Sequence, residues 1–193
     1  MATARQARHL VTAEELAELV ARDDEHRYEL IAGELEVMAP ARPRHGRIIG
    51  RLTSSLGPYI LAHGLGEIFG AETGFCLARD PDTVRAPDVA FVRRERVAEV
   101  GDTDDWWPGA PDLAVEVLSP EDRYSQVRQK VGMWLAGGAR LVLVVDPRRR
   151  LVEVHRPGEP VRELTEADAI DGLDVVPGWT LPVAELFAPV DQA

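Results

Sequence analysis

The sequence LAVEVL at residues 113–118 constrains the fold most, because it is apolar on both faces and carries a single charge, Glu116. Such a run is typical of a strand inside a sheet that is covered on both sides. Glu116 is therefore predicted to be buried, and a buried carboxylate needs a cation, a metal ion or hydrogen-bond donors beside it. A structural ion pair, or a place at the strand end facing water, is the alternative to a functional role.

The length of 193 residues suits one well-buried domain, 1–193, with a core at about 12–187. No window approaches the roughly 18 apolar residues of a membrane span, and the first residues contain no apolar targeting segment, so we expect a cytoplasmic protein. The single cysteine, Cys76, has no partner for an internal disulfide. The five histidines are scattered rather than set at metal-ligand spacing, so a zinc site is not expected.

The formal net charge of −11 argues against non-specific binding to duplex DNA. Lysine and arginine side chains that neutralise phosphates supply most of that affinity. Carboxylates clustered at a metal site would account for part of the negative charge, and an arginine-rich stretch from Arg42 and Arg44 to Arg51 can still form a local positive face.

The pattern of apolar residues predicts an α/β (α+β) domain in which helices flank a mixed sheet. A capping box between Thr12 and Glu15 opens a peripheral helix, and Ala32-Gly33 centres a β-hairpin. The predicted order begins with a helix at 12–21 that has Leu16, Leu19 and Val20 on its apolar face, a hairpin at 28–38, a core helix at 44–63, and strands at 66–77 and 86–92 paired as an antiparallel hairpin. An irregular acidic surface segment at 93–111 follows, partly held by the aromatic cluster Trp106-Trp107-Pro108. The remaining elements are a strand at 112–118, a helix at 123–136, strands at 140–145 and 151–155, and short strands and a loop from 161 onward.

Lys130 is the only lysine among the 22 basic residues. A lysine where every other basic position holds arginine suggests a need for a compact ammonium with an adjustable pKa, although chance survival in an arginine-rich composition is the alternative. Lys130 lies three residues after Val127 and four before Trp134, so helical periodicity places it on the face toward the sheet and Glu116. A lysine that extends along the helix flank into water would be the simpler explanation.

Asp88 follows Pro87 and immediately precedes the apolar run at residues 89–92, at the mouth of a predicted strand. If that strand neighbours the strand of Glu116, two carboxylates converge. Two carboxylates with a backbone carbonyl make the oxygen-rich environment that Mg²⁺ prefers. Taken alone, Asp88 could equally be a residue that bonds local backbone at the start of a strand.

These residues together resemble a known nuclease signature. Pro87-Asp88, Val115-Glu116-Val117 and Lys130 are similar to the PD-(D/E)XK pattern, with the lysine moved from the strand position, occupied here by Leu118, onto the following helix. More narrowly, five segments spread over residues 12–187 resemble the bacterial Uma-two endonuclease family: YELIAGELEVMAP at 28–40, RAPDVAFV at 85–92, APDLAVEVLSPEDR at 110–123, VLVVDP at 142–147 and LPVAELF at 181–187.

The resemblance implies a restriction-endonuclease-like core and Mg²⁺-dependent hydrolysis of phosphodiester bonds in DNA, with Mn²⁺ able to substitute. It assigns Asp88 and Glu116 as metal ligands and the carbonyl of Val117 as a third. Lys130 would orient or deprotonate the attacking water and stabilise the transition state, and the base role requires a lowered pKa.

Two further residues match recurring family positions. Glu29 would be an additional acid beside the metal, and His45 would contact a phosphate or water. Leu118 is the main departure from the standard signature, because a lysine usually stands there. If Lys130 did not reach the site, the chain would be an inactive relative.

The preferred hypothesis is a homodimeric, Mg²⁺-dependent DNA endonuclease, with the dimer resting on family analogy. One alternative is a catalytically inactive module of the same fold that binds nucleic acid or a protein, which the acidic charge favours. Another is a metal-dependent phosphohydrolase of small nucleotides, which would tolerate negative charge better. Metal binding tests the first alternative, and competition by free nucleotides tests the second.

Overall fold

The computed structural model describes residues 10–23 and 25–189, and the predicted domain 1–193 extends beyond them at both ends. In chain order, the elements within these residues are α1 (Ala13–Val20), β1 (Arg27–Ile31), β2 (Glu34–Met38), α2 (Pro43–His63), β3 (Gly66–Gly70), β4 (Phe75–Ala78), β5 (Thr83–Arg85), β6 (Val89–Arg93), α3 (Arg94–Val100), β7 (Trp107–Pro108), β8 (Leu113–Val117), α4 (Tyr124–Ala136), β9 (Leu141–Asp146), β10 (Leu151–His155), β11 (Arg162–Leu164), β12 (Ala169–Asp171), β13 (Thr180–Pro182) and α5 (Val183–Phe187).

The central sheet has six strands in the order β11-β10-β9-β8-β6-β3. β8 and β9 run parallel, whereas the other neighbouring pairs are antiparallel. Every residue of β8 is buried, as the two-sided apolar pattern predicts. The predicted mixed sheet flanked by helices is confirmed.

Alternation along β8 divides its side chains between two core layers. Val115 and Val117 pack in the layer that contains α2, whereas Ala114 packs in the layer that contains α4. Because successive side chains of a strand point to opposite faces, Glu116 points toward α4. This explains which helix supplies the partners of Glu116.

A second sheet has the order β2-β1-β5-β4-β7. The β1–β2 hairpin turns at Ala32 (φ 49°) and Gly33 (φ 78°), the two successive positive φ values of a type I′ turn. The predicted hairpin is thus confirmed. β5 of this sheet leads through residues 86–88 into β6 of the central sheet, so Asp88 lies at the junction of the two sheets.

The predicted antiparallel pairing of residues 66–77 with residues 86–92 is confirmed for residues 66–70, which pair with residues 89–93, but the two segments do not form one continuous hairpin. The segment 66–77 is broken after Gly70 by a turn in which Glu72 has a φ of 88°. As a result, β3 pairs with β6 in the central sheet, while β4 pairs with β5 in the second sheet.

The segment 93–111 is more ordered than predicted, because it contains α3 and β7. Trp107 is buried, and its ring lies 5.4 Å from that of Phe69 and 6.5 Å from that of Phe75. These aromatic contacts hold the segment against the core.

The capping box of α1 forms as predicted: Thr12 Oγ1 accepts from the Glu15 N–H, and the Glu15 carboxylate accepts from the Thr12 N–H. Leu16 is buried, but Val20 is 40% exposed, so its predicted place on the packed face is wrong. Within the described residues, no helix combines the length and the apolar character needed to cross a bilayer.

Candidate active site

Glu116 and Lys130 form a close ion pair between β8 and α4. The Lys130 Nζ lies 2.7 Å from Glu116 Oε2, and only 8% of the Glu116 side chain is exposed. Val127, Val131 and Trp134 of the same helix are buried against the sheet. The only lysine of the chain therefore points inward, as its helical position predicts.

Trp134 satisfies the other oxygen of Glu116. Its indole Nε1 donates to Glu116 Oε1 at 2.7 Å, and the side chain is fully buried. Trp134 lies one helical turn after Lys130, so the two donors reach the same carboxylate from one face of α4. Both oxygens of Glu116 are thus fixed by the protein.

Glu29 of β1 extends this polar chain into the second sheet. Its Oε2 accepts from Arg85 Nη2 at 2.6 Å and from Arg85 Nε at 3.0 Å, and its Oε1 accepts from the Ala86 N–H at 3.1 Å. Lys130 Nζ lies 3.8 Å from the same Oε1. The ammonium therefore sits between two buried carboxylates, one from each sheet.

Asp88 is held where β6 diverges from β8. Its backbone N–H donates to the Val115 carbonyl at 3.0 Å, and its Oδ2 accepts from the Val117 N–H at 2.7 Å. Asp88 is thus bonded to β8 on both sides of Glu116. Its Oδ1 accepts no hydrogen bond from the described part of the chain.

His45, in the first turn of α2, completes the cluster. Its Nε2 lies 3.2 Å from Asp88 Oδ2, while its Nδ1 is buried without a partner among residues 10–23 and 25–189. The hydrogen bond to Asp88 raises the pKa of His45 above its ordinary value, against the effect of burial and with help from the Val117 backbone. Protonation of His45 is favoured beside this carboxylate.

The charges of the ion pair are set by burial and by their mutual attraction. Burial raises the pKa of Glu116 to about 7, although the Lys130 charge opposes the shift. Burial lowers the pKa of Lys130, but the charges of Glu116 and Glu29 outweigh that effect and raise it above its ordinary value. Lys130 is therefore a cation here, and the lowered pKa that a base role would require is not found.

The oxygen atoms available as metal ligands at this site are of the kind that Mg²⁺ prefers. Within the described residues, no three His, Cys, Asp or Glu side chains are grouped to hold a metal. A metal here would instead rest on the carboxylates of Asp88 and Glu116 and the carbonyl of Val117. These are hard oxygen donors, and Mg²⁺ usually takes one or two carboxylates and keeps several waters.

All the side chains singled out from the sequence, namely Asp88, Glu116, Lys130, Glu29 and His45, lie in one connected cluster. Arg85 and Trp134 were not predicted, yet they supply the donors that fix Glu29 and Glu116. The spacing of four residues between Lys130 and Trp134 was a usable signal for the second. The pairing of Arg85 with Glu29 depends on strand order, which the sequence pattern did not reveal.

The comparisons with known proteins concern the family and the fold of the chain. A family model described as "Uma2: Putative restriction endonuclease" matches residues 13–184. A crystal structure described as that of "a putative nuclease belonging to DUF820 from Anabaena variabilis ATCC 29413" superposes with a TM-score of 0.78, covering 92% of this chain and 97% of that chain at 22% sequence identity. No curated protein matches the chain.

The structural likeness confirms the restriction-endonuclease-like fold expected from the sequence. The family match extends over nearly all of the described residues and includes every member of the site cluster. The chain therefore belongs to the Uma2 family, whose description is "Putative restriction endonuclease".

Proposed function

We propose that this protein is a Mg²⁺-dependent DNA endonuclease with Asp88, Glu116 and Lys130 at its active site. The observation that carries the proposal is the ion pair of 2.7 Å between Lys130 and Glu116, on the strand to which Asp88 is hydrogen-bonded. In the standard signature, the lysine stands on the same strand as this carboxylate. Here a lysine on the following helix reaches the carboxylate instead. Leu118 at the strand position is then compatible with activity.

Each side chain has a role that follows from its surroundings. Asp88 and Glu116 would hold the metal together with the Val117 carbonyl. Bound there, Mg²⁺ would act as a Lewis acid on the phosphodiester and lower the pKa of a coordinated water. Lys130, already a cation, would stabilise the negative charge that develops on the phosphate in the transition state. His45, bonded to Asp88, would contact a phosphate oxygen or the attacking water.

Glu29 has a different role in this proposal from that of a metal-side acid. Both of its oxygens accept hydrogen bonds from Arg85 and Ala86. It would therefore position Lys130 and the segment that carries Asp88. The proposal also includes a homodimer acting in the cytoplasm, and light scattering of the purified protein tests the dimer.

Cleavage of supercoiled plasmid at low salt with Mg²⁺ or Mn²⁺ tests the proposal. The wild type is compared with Asp88→Asn, Glu116→Gln and Lys130→Met, each of which changes charge and nearly preserves shape. Asp112→Asn is the matched control, because Asp112 is also a buried, ion-paired carboxylate but lies at the other end of the β8 region. Melting curves establish that each variant is folded.

We expect nicking by the wild type and the control, and loss of nicking in the three site variants. A wild type that binds DNA but cleaves nothing with either metal would favour the catalytically inactive module. Strong inhibition by free nucleotides, with their hydrolysis, would favour the nucleotide phosphohydrolase. Cleavage that survives in all three site variants would place the activity elsewhere or in a contaminant.

A further inference from the structure

The arginines of this acidic protein are not evenly neutralised. Most of those in the described residues form ion pairs with aspartate or glutamate, as Arg85 does with Glu29 and Arg96 with Asp112. The described arginines outside ion-pair distance of any carboxylate are Arg44, Arg47, Arg51, Arg94, Arg123, Arg128, Arg148 and Arg162. Uncompensated positive charge is therefore confined to a few places.

The unpaired arginines concentrate at the edge of the fold that carries the site. Arg44, Arg47 and Arg51 lie on α2. The first turn of α2 lies beside the site, because its residue His45 contacts Asp88. Arg123 follows β8 and Arg148 follows β9, so both lie beyond the carboxyl ends of the parallel pair. Arg44 also donates to the Pro147 carbonyl, which joins α2 to the turn of Arg148.

The carboxylates near this edge are engaged in local contacts. Glu121 pairs with Arg42, Asp122 accepts from the Ser119 N–H at 2.7 Å, and Asp146 accepts from the N–H groups of Arg148 and Arg149 at 2.8 and 3.0 Å. α2 itself contains no aspartate or glutamate. A local positive field can therefore persist despite the net charge of −11.

The exposed side of α2 is also open in shape. A Cβ added at Gly46 or Gly50 would meet no atom within 4 Å. Beside them runs a groove of about 690 Å³, whose lining includes Arg47, Arg51 and Ser54, although Glu185 lines it as well. The 21 residues of α2 span about 31 Å at 1.5 Å each, close to one turn of duplex DNA at roughly 34 Å.

We propose that the sugar-phosphate backbone of a DNA duplex lies along this face of α2 and leads one strand to His45 and Asp88. The α2 face is defined by Arg44, Gly46, Arg47, Gly50, Arg51 and Ser54. Arg47 contacts the phosphates, while Arg44 and Arg51 add positive charge from guanidinium groups that also donate to backbone carbonyls. The two glycines allow the DNA backbone to approach the helix closely. This inference rests on the proposed function, because it names where the substrate of that site is held.

Charge reversal at the open glycines tests the α2 face. Gly46→Glu and Gly50→Glu each place a carboxylate on the path without a steric clash, and both replace glycine by a better helix former. Gly132→Glu is the matched control, because Gly132 is also helical and exposed, with nothing within 4 Å of an added Cβ. Binding is measured by fluorescence anisotropy with a labelled DNA duplex of about two helical turns, in EDTA at low salt.

We expect Gly46→Glu and Gly50→Glu to weaken binding by about tenfold or more, while Gly132→Glu binds as the wild type does. A second arm compares Arg47→Gln with Arg162→Gln, an exposed arginine on β11. Only Arg47→Gln should reduce the slope of log K against log salt, by about 1. Equal effects in test and control variants, or a wild type that does not bind duplex DNA, would overturn the inference.

The two proposals fail in different ways. Plasmid cleavage by the wild type, together with unchanged DNA binding in Gly46→Glu and Gly50→Glu, would contradict DNA binding along the α2 face and support the endonuclease activity. Binding that depends on the α2 face, without cleavage by any metal-loaded protein, would support the face and overturn the endonuclease.

Discussion

Trp134 and Glu116 form a buried hydrogen bond of 2.7 Å that joins the outer helix to the central strand. The indole N–H satisfies one carboxylate oxygen while Lys130 satisfies the other. A carboxylate fixed in this way has little freedom to rotate. Trp134 is therefore placed to preserve the orientation in which Glu116 would meet a metal.

Replacing Trp134 by phenylalanine should separate this orienting role from packing. We expect Trp134→Phe to lower the free energy of unfolding by about 1–3 kcal/mol, because a buried acceptor loses its donor, and to reduce plasmid nicking as well. Trp179→Phe is the control, since Trp179 is equally buried and donates to Ser55 Oγ at 3.1 Å, away from the site. Urea denaturation and nicking assays check both variants, and an equal loss of nicking in Trp179→Phe would contradict the role given to Trp134.

Removing the Lys130 charge should leave the buried carboxylates of Glu116 and Glu29 without their shared cation. Lys130→Met is expected to lower the free energy of unfolding by about 1–3 kcal/mol, because two buried carboxylates lose a donor and Glu116, whose pKa is already raised to about 7, must take up a proton to stay buried. The double variant Lys130→Met/Glu116→Gln should recover a large part of the loss. Urea denaturation at neutral pH measures the cycle, and a double variant no more stable than Lys130→Met would show that the pair is not coupled.

Divalent metal should stabilise the folded protein through the site carboxylates. Ligand at about one hundred times its Kd adds about 2.7 kcal/mol to the free energy of unfolding. We expect Mg²⁺ or Mn²⁺ to raise the melting temperature of the wild type and of Asp112→Asn, but not that of Asp88→Asn. A differential scanning experiment in which Asp88→Asn responds as the wild type does would remove Asp88 from the metal site.

Asp82 should make the attachment of α1 dependent on pH. Its Oδ2 accepts from the Ala13 N–H at 2.7 Å, and this hydrogen bond holds the pKa of Asp82 below its ordinary value near 3.8. A lowered pKa contributes stability that is present above the unfolded value and is lost as pH falls through the folded value.

The variant Asp82→Asn isolates this contribution. We expect it to be less stable than the wild type by about 1–2 kcal/mol at neutral pH, with a difference that shrinks toward about pH 3. Asp102→Asn is the control, because Asp102 is an exposed carboxylate that accepts no hydrogen bond from the described residues. Urea denaturation across this range measures the difference, and a constant gap between wild type and Asp82→Asn would exclude ionisation as its cause.

The central part of the fold could be predicted because its pattern was local. A strand apolar on both faces predicts the burial of Glu116, and the spacing of Val127, Lys130 and Trp134 predicts which helix face meets it. These two regularities place the lysine and the carboxylate together without knowledge of strand order. The resemblance to a known family added the role of Asp88.

The missing parts depended on contacts that are distant in sequence. The hydrogen bonds from Arg85 to Glu29 require β5 to lie beside β1, and the sequence pattern predicted no strand at residues 83–85. The order in residues 93–111 likewise comes from Trp107 packing on Phe69 and Phe75. Periodicity within a segment carries no information on either contact.

The position of Lys130 between carboxylates of two sheets has a consequence for the order in which the protein folds. Glu29 and Lys130 are roughly 100 residues apart in the chain, so their contact closes a long loop and belongs to the slow, non-local part of folding. A chain still emerging from the ribosome has made β1 long before it makes α4. The polar cluster therefore assembles only after the second sheet, β8 and α4 have all docked, which ties its completion to that of the fold itself.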